Sequence, residues 1–139
     1  MRVDVLETPV DIDGSRLEAA PGTVREQLDE YARGERRAFD LDVSYPDSFT
    51  GRVMAAMAAI PYGETRTYGD LAADLETAPV AVGSACGRNP VPVIVPCHRV
   101  VGADSLGGFS AGGDDPLGFK RRLLDHEERV LGGARTGTR

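Results

Sequence analysis

The chain has little of what secreted, membrane-bound or metal-centred proteins are built from. Its 139 residues hold two cysteines, Cys86 and Cys97. That is too few for a disulfide framework or a four-thiolate metal site, so no metal centre is expected. No apolar run approaches the ~18 residues that crossing a bilayer requires, and no membrane partner is expected. The N-terminus shows no basic region followed by an apolar run, the mark of a secretory signal. A reduced, cytoplasmic setting suits the free thiols. Lysine occurs once, at Lys120, against fifteen arginines. Acid-rich, lysine-poor composition fits a high-salt cytoplasm, where weakly hydrated arginine replaces lysine. GC-rich coding gives the same bias.

Positive charge is also scarce. The net charge is −6. Residues 1–50 hold twelve acids and six bases; residues 51–139 hold ten of each. The whole deficit therefore lies in the first part. An acidic chain is a poor default binder of nucleic acid, because Lys and Arg on phosphates supply most non-specific affinity. The neutral second part weakens that objection.

Along the chain, residues 1–45 read as a small N-terminal α/β unit. Met1–Val10 alternates as a strand. Thr23–Arg37 carries Val24, Leu28 and Tyr31 at helical spacing, and Phe39–Val43 alternates apolar and acidic like an edge strand. Residues 46–132 read as a second unit. Ser48 caps a helix reaching Ile60, with Val53, Met57 and Ile60 along one side, and Pro61-Tyr62-Gly63 stops it. Thr67 caps a second helix with Asp70 three residues on, near a capping box. Thr77 caps a third, with Pro79 in its first turn, which Asn89-Pro90 ends. Two short helices on a tight link predict a helix-turn-helix, the second being its recognition helix. Asp115 and Pro116 open a last helix whose apolar side is Leu117, Leu123, Leu124 and Val130. Residues 133–139 are expected to form a flexible tail.

The chemistry concentrates at Pro96-Cys97-His98-Arg99-Val100. The apolar run Val91–Val95 reads as a short buried strand that holds the thiol on a rigid element. Adjacent residues on a strand face opposite ways, so Pro96 must introduce a bend if Cys97 and His98 are to cooperate. A free thiol titrates near ~8.5, and neighbouring imidazole or cationic groups raise its reactive fraction. A buried, inert cysteine is the plain alternative.

The segment 89–102, Asn-Pro-Val-Pro-Val-Ile-Val-Pro-Cys-His-Arg-Val-Val-Gly, resembles the active-site segment of the O6-alkylguanine-DNA alkyltransferases. Ile60–Ala72 resembles the start of that family's helix-turn-helix. Leu106–Ser110 and Lys120–Glu127 resemble its substrate loop and last helix. The likeness covers residues 37–130, with four blocks in order. It implies an α+β fold: a small, truncated N-terminal α/β unit, then a winged helix-turn-helix-like alkyltransferase domain. It implies a monomer acting on double-stranded DNA that carries O6-alkylguanine. The alkyl group passes irreversibly to Cys97, with no cofactor because DNA is the donor.

Roles follow from the resemblance. Cys97 is the nucleophile, and His98 takes its proton through a water. Glu127 orients His98, and Asn89 is the hinge. Tyr68 donates to the guanine, the backbone of Ser110 faces O6, and the Val100 carbonyl receives the exocyclic amine. Phe109 stands where a tyrosine is common. Val80 occupies the place of an arginine that fills the gap left by a flipped base. Ser84, Arg88 and Arg99 complete the expected substrate and DNA contacts. A non-catalytic sensor of alkylated DNA is the alternative, though such relatives commonly replace the cysteine. A Cys-His-Glu hydrolase lacks an evident acyl pocket.

Overall fold

The computed structural model describes residues 1–109 and 111–136. Strands β1 (Arg2–Val5) and β2 (Thr8–Asp11) pair antiparallel, Val3 opposite Val10. Their inward side chains Val3, Val5 and Val10 are buried, and the alternate positions face water. Sequence spacing predicts one strand here. The chain instead reverses at Leu6 and Glu7, both at positive φ (50° and 64°). That is the geometry of a two-residue hairpin turn, but without the Asn-Gly or Asp-Gly pair that signals it.

Helix α1 (Pro21–Ala32) starts with Pro21 in its first position, where no donor is lost. Val24, Leu28 and Tyr31 form the expected buried stripe. The helix ends five residues earlier than expected, and Gly34 follows at φ 77°. The expected edge strand at Phe39–Val43 reduces to one bridge between Leu17 and Val43. Its backbone groups go elsewhere: the Gln27 amide donates to Asp40 O at 3.2 Å and accepts from Asp40 N at 2.9 Å.

Helix α2 (Phe49–Ala58) is capped by Ser48 and buries Val53, Met54 and Met57. Such a cap stabilises by about 1 kcal/mol. Strand β3 (Arg66–Thr67) leads into helix α3 (Tyr68–Asp74). Thr67 and Asp70 make a full capping box, each side chain holding the other's backbone N–H at 3.0 Å. Helix α4 (Pro79–Cys86) follows, and the α3–α4 pair is the expected helix-turn-helix.

The segment Val91–Val95 corrects the sequence expectation. It is buried, yet it is a tight turn with a single Pro92–Val95 bridge. Pro90, Pro92 and Pro96 have no N–H to give a sheet ladder. Val93 sits at φ 74°, costly for a β-branched residue. Asn89 holds the turn closed, donating from Nδ2 to Val95 O at 2.9 Å and accepting from Val91 N at 3.0 Å. One 3-10 turn, Cys97–Arg99, then enters strand β4 (Val100–Val101), which pairs parallel with β3.

Helix α5 (Pro116–Thr136) begins on Asp115, which accepts from Gly118 N. It runs four residues into the segment expected as a tail; residues 137–139 lie outside the described part. Its buried face also differs from the expected one. Phe119 and Leu123 are joined there by Lys120, His126 and Glu127, while Leu117 is 48 % exposed. The buried apolar residues of hairpin, helices and turn form one α+β core. No described helix is long and apolar enough to cross a membrane.

Candidate active site

The 3-10 turn places Cys97, His98 and Arg99 in successive directions from one pivot, and all three are buried. His98 and Glu127 are fully enclosed, with Nε2 2.6 Å from Oε2. An ionised carboxylate can only accept, so the imidazole proton lies on Nε2. Nδ1 is then the unprotonated nitrogen, and it has no hydrogen-bond partner among the described groups. Burial lowers the His98 pKa, although Glu127 pulls the other way. The ring is therefore neutral at pH 7, with a free base on Nδ1.

Glu127 is the hub. Burial by itself would raise its pKa, but hydrogen bonds and charge from His98 and Arg99 hold it far below the usual carboxylate range. Arg99 forks onto it, Nε to Oε1 at 2.9 Å and Nη2 to Oε2 at 3.0 Å. Such bidentate pairs fix geometry as well as charge. Gly63 N donates to Oε1 at 3.0 Å, and the Tyr31 hydroxyl to Oε2 at 2.7 Å. Gly63 has φ 80°, and a Cβ there would lie 2.0 Å from Leu131 Cδ1, so no other residue fits unstrained.

Cys97 is 5 % exposed. Burial pushes its thiol up to about 11, opposed by the Asn89 amide and the Lys120 charge. At neutral pH only about one molecule in ten thousand would be thiolate at rest. The site does not store a thiolate; a base must remove the proton as reaction begins.

Lys120 is the residue that sequence reasoning missed. It is fully buried, and Nζ donates to Val100 O at 2.7 Å, Gly108 O at 2.9 Å and the Tyr68 hydroxyl at 3.4 Å. Burial lowers its pKa to about 8. Its being the only lysine among many arginines was a usable signal: a compact three-donor ammonium is kept where a planar fork does not fit.

A small cavity of about 70 Å³ beside Cys97 is walled by Tyr68, Gly83, Cys86, Gly87, Gly108 and Phe109. Tyr68 donates to Gly108 O at 3.3 Å. Gly107, at φ 79°, passes so close that a Cβ would meet the Tyr68 ring at 2.7 Å. Ser110 lies outside the described residues. A wider cleft of about 610 Å³ that also reaches Cys97 is lined by Asn89, Pro92, Gly112 and the hairpin residues Arg2 and Asp11.

The remaining sequence candidates divide. Val80 stands at the start of α4, 84 % exposed. Ser84, toward the other end of α4, and Arg88, just past that end, are exposed, with Arg88 Nη1 2.9 Å from Ser84 Oγ and Nε 3.2 Å from Thr50 Oγ1. Arg99, expected as a DNA contact, faces inward: it is 6 % exposed, spent on Glu127 and on Ile60 O at 2.8 Å. The sequence shows its charge but not that Glu127 claims it. The Val100 carbonyl is held by Lys120 at 2.7 Å.

A buried thiol beside an imidazole–carboxylate pair, under a helix-turn-helix, defines a thiol-transfer protein built on a DNA-binding module. Residues 48–129 match the family model described as 6-O-methylguanine DNA methyltransferase, DNA binding domain, and the chain belongs to that family. It is 47 % identical over 105 residues to the methylated-DNA–protein-cysteine methyltransferase of Archaeoglobus fulgidus, covering 70 % of this chain and 69 % of that one. The Methanocaldococcus vulcanius protein of the same name is 47 % identical over 90 residues, 65 % of this chain and 52 % of its own length. The chain thus spans between about half and two thirds of these relatives. The crystal structure of Mycobacterium tuberculosis OGT in complex with DNA superposes with a TM-score of 0.79 at 34 % identity, covering 93 % of this chain and 92 % of that one.

Proposed function

We propose that this chain repairs O6-alkylguanine in double-stranded DNA by moving the alkyl group onto Cys97. The observation that carries the reading is a buried Cys97 thiol next in sequence to His98, whose Nε2 lies 2.6 Å from the equally buried Glu127 carboxylate. His98 Nδ1 takes the thiol proton through a bridging water, acting as the adjacent general base that activates a cysteine nucleophile. The sulfur–carbon bond forms as the carbon–O6 bond breaks, and the bonding pair leaves with the guanine. Tyr68, backed by the Lys120 ammonium, offers the proton that neutralises the departing base. A donor already in place where charge develops costs no reorganisation. The product thioether has no route back to thiol, so each chain acts once, and no cofactor is required.

The small cavity holds only a few water molecules' worth of space, so admitting a base requires the Gly107–Phe109 segment to move outward. Asn89 is the hinge between α4 and the Cys97 turn. Val80 enters the stack apolarly as the target base leaves, and Ser84 and Arg88 approach the phosphates. The chain acts as a monomer in the cytoplasm.

The test is intact-mass measurement after incubation with an O6-methylguanine duplex. One methyl adduct per chain is expected, on Cys97 by peptide mapping and absent in Cys97→Ala. Cys86 should remain free: burial pushes its thiol up to about 12, and its nearest recorded partner is Met57 Sδ at 3.5 Å. An adduct on Cys86, or none at all, would overturn the reading.

A further inference from the structure

Tyr31 belongs to α1, 96 residues from Glu127 in sequence, yet its hydroxyl is 2.7 Å from Oε2. That oxygen already receives His98 Nε2 at 2.6 Å and Arg99 Nη2 at 3.0 Å. Tyr31 is fully buried. Its ring stacks on Phe39 at 5.7 Å, meets Tyr62 edge-on at 6.1 Å and lies 5.3 Å from the His126 ring. His126 Nε2 is also 2.8 Å from Tyr31 O, so ring and backbone are both fixed. A phenylalanine would satisfy every one of those ring contacts. The hydroxyl is what remains to be explained, and among the described residues its one hydrogen-bond partner is the carboxylate that holds His98.

We propose that Tyr31 is a positioning residue for the proton relay: its hydroxyl shares Glu127 Oε2 with His98, limits the pull of the carboxylate on the imidazole, and so keeps His98 neutral with Nδ1 free. The proposal rests on the alkyl-transfer reading. The mechanism is a balance at one oxygen. Each donor withdraws charge from Oε2 and makes it a weaker acceptor for the next. Without the phenol, Oε2 draws harder on the Nε2 proton, imidazolium becomes easier to form, and less of the protein has an open base near neutrality. The other charged or titratable groups around the pair do not compensate. Arg99 is already committed to both carboxylate oxygens, and the Lys120 charge already disfavours imidazolium at His98. Tyr62 and Arg37 stack behind the hub, and His126 is bound to Tyr31 O. It follows that α1 of the N-terminal part completes a site whose other members all come from residues 63–127.

The experiment compares native protein with Tyr31→Phe and with 2,3-difluorotyrosine at position 31, using the full chain. Two readouts are taken: the nitrogen NMR titration of His98 without DNA, and single-turnover transfer from an O6-methylguanine duplex between pH 5 and 9. In Tyr31→Phe, His98 should titrate at higher pH, and the acid limb of the rate profile should rise with it, leaving a several-fold lower rate at neutral pH. The fluorinated phenol, a stronger donor of nearly the same shape, should move both the other way. Unchanged His98 titration in both variants would reduce Tyr31 to packing and overturn the proposal. Native protein that transfers no methyl group would overturn the alkyl-transfer reading, while the titration would still decide the role of Tyr31.

Discussion

Replacing Glu127 by Gln removes one charge and keeps nearly the same shape. The carboxylate receives five donors: His98 Nε2, the Tyr31 hydroxyl, Arg99 Nε and Nη2, and Gly63 N. Glutamine keeps one acceptor oxygen and points an NH₂ at groups that themselves donate. Arg99, 6 % exposed, keeps the Ile60 carbonyl and the Tyr62 ring face at 5.5 Å, but loses its counter-charge. Breaking one side of a buried ion pair costs about 3–5 kcal/mol. Against a total stability of about 5–15 kcal/mol, the variant folds but with much of its margin gone. At about 4 °C per kcal/mol for a domain of this size, Tm should fall by about 12–20 °C. The rate should fall further than stability explains. His98 loses the acceptor that fixes its tautomer, so Nδ1 is no longer reliably the open base. Losing the orienting carboxylate of a triad lowers the chemical step by up to about 10⁴ elsewhere, and a loss of about 10²–10⁴ is expected here. Transfer is measured in single turnover well below the lowered Tm, alongside DNA titration by anisotropy. Affinity should stay within about twofold, because Glu127 is fully buried and touches no outer surface. A native rate in folded Glu127→Gln, or an unchanged Tm, would show that the hub does not work as described.

Two further outcomes test other parts of the site. If the Lys120 ammonium supplies charge through Tyr68, transfer should weaken as pH rises through about 8, where Lys120 loses its proton; Lys120→Met should lower the rate and abolish that descending limb. A rate that climbs steadily from pH 7 to 10 would mean that thiol ionisation alone governs, and would remove Lys120 from the chemistry. Val80, exposed and apolar, can fill a gap in the base stack but cannot hydrogen-bond the orphaned partner base, so lesions already unpaired should react faster than lesions in normal duplex. Val80→Arg should narrow that ratio at fixed salt, and an identical ratio in both proteins would exclude Val80 from flipping.

Local signals read well where the physics is local. The Thr67–Asp70 box, the Ser48 cap and Pro79 and Pro116 in their helices' first positions depend on neighbours within one turn, and each element starts within a residue or two of its expected place. The Val24, Leu28, Tyr31 spacing gives the buried face of α1, but periodicity does not say what that face meets. It therefore identifies Tyr31 as core and cannot show that its hydroxyl reaches a carboxylate 96 residues away. The same limit hides Arg99 and Lys120. Lys120 stands in a charged run and Arg99 is itself a full charge, so solvent is the default for both, and each is buried because a partner from another element awaits it. The run Val91–Val95 fails for another reason. Its composition says strand and burial, and burial is right, but three prolines and the Asn89 side chain close it into a turn. A strand continued through Cys97 and His98 would have sent them to opposite faces; the turn leads instead into the 3-10 turn in which both are buried.

The burial of Cys97 looks at first like a fault in a nucleophile, since it pushes the thiol up to about 11. Reactivity toward a bound substrate and reactivity toward the solvent are separate quantities. A thiolate is the form that small electrophiles and oxidants attack, and an exposed low-pKa cysteine is consumed by them. For a thiol that can be used once, every such encounter is a permanent loss of function. Holding the proton on sulfur at rest suppresses these losses by the same factor that suppresses the thiolate. The penalty on the intended reaction is smaller, because the open Nδ1 of His98 accepts the proton only along a defined path. The charge released is met by a hub that already holds His98 through Glu127 and by Lys120 on the other side. Selectivity for the reaction with bound base thus comes from coupling proton removal to a filled site, and the buried relay is the physical form of that coupling.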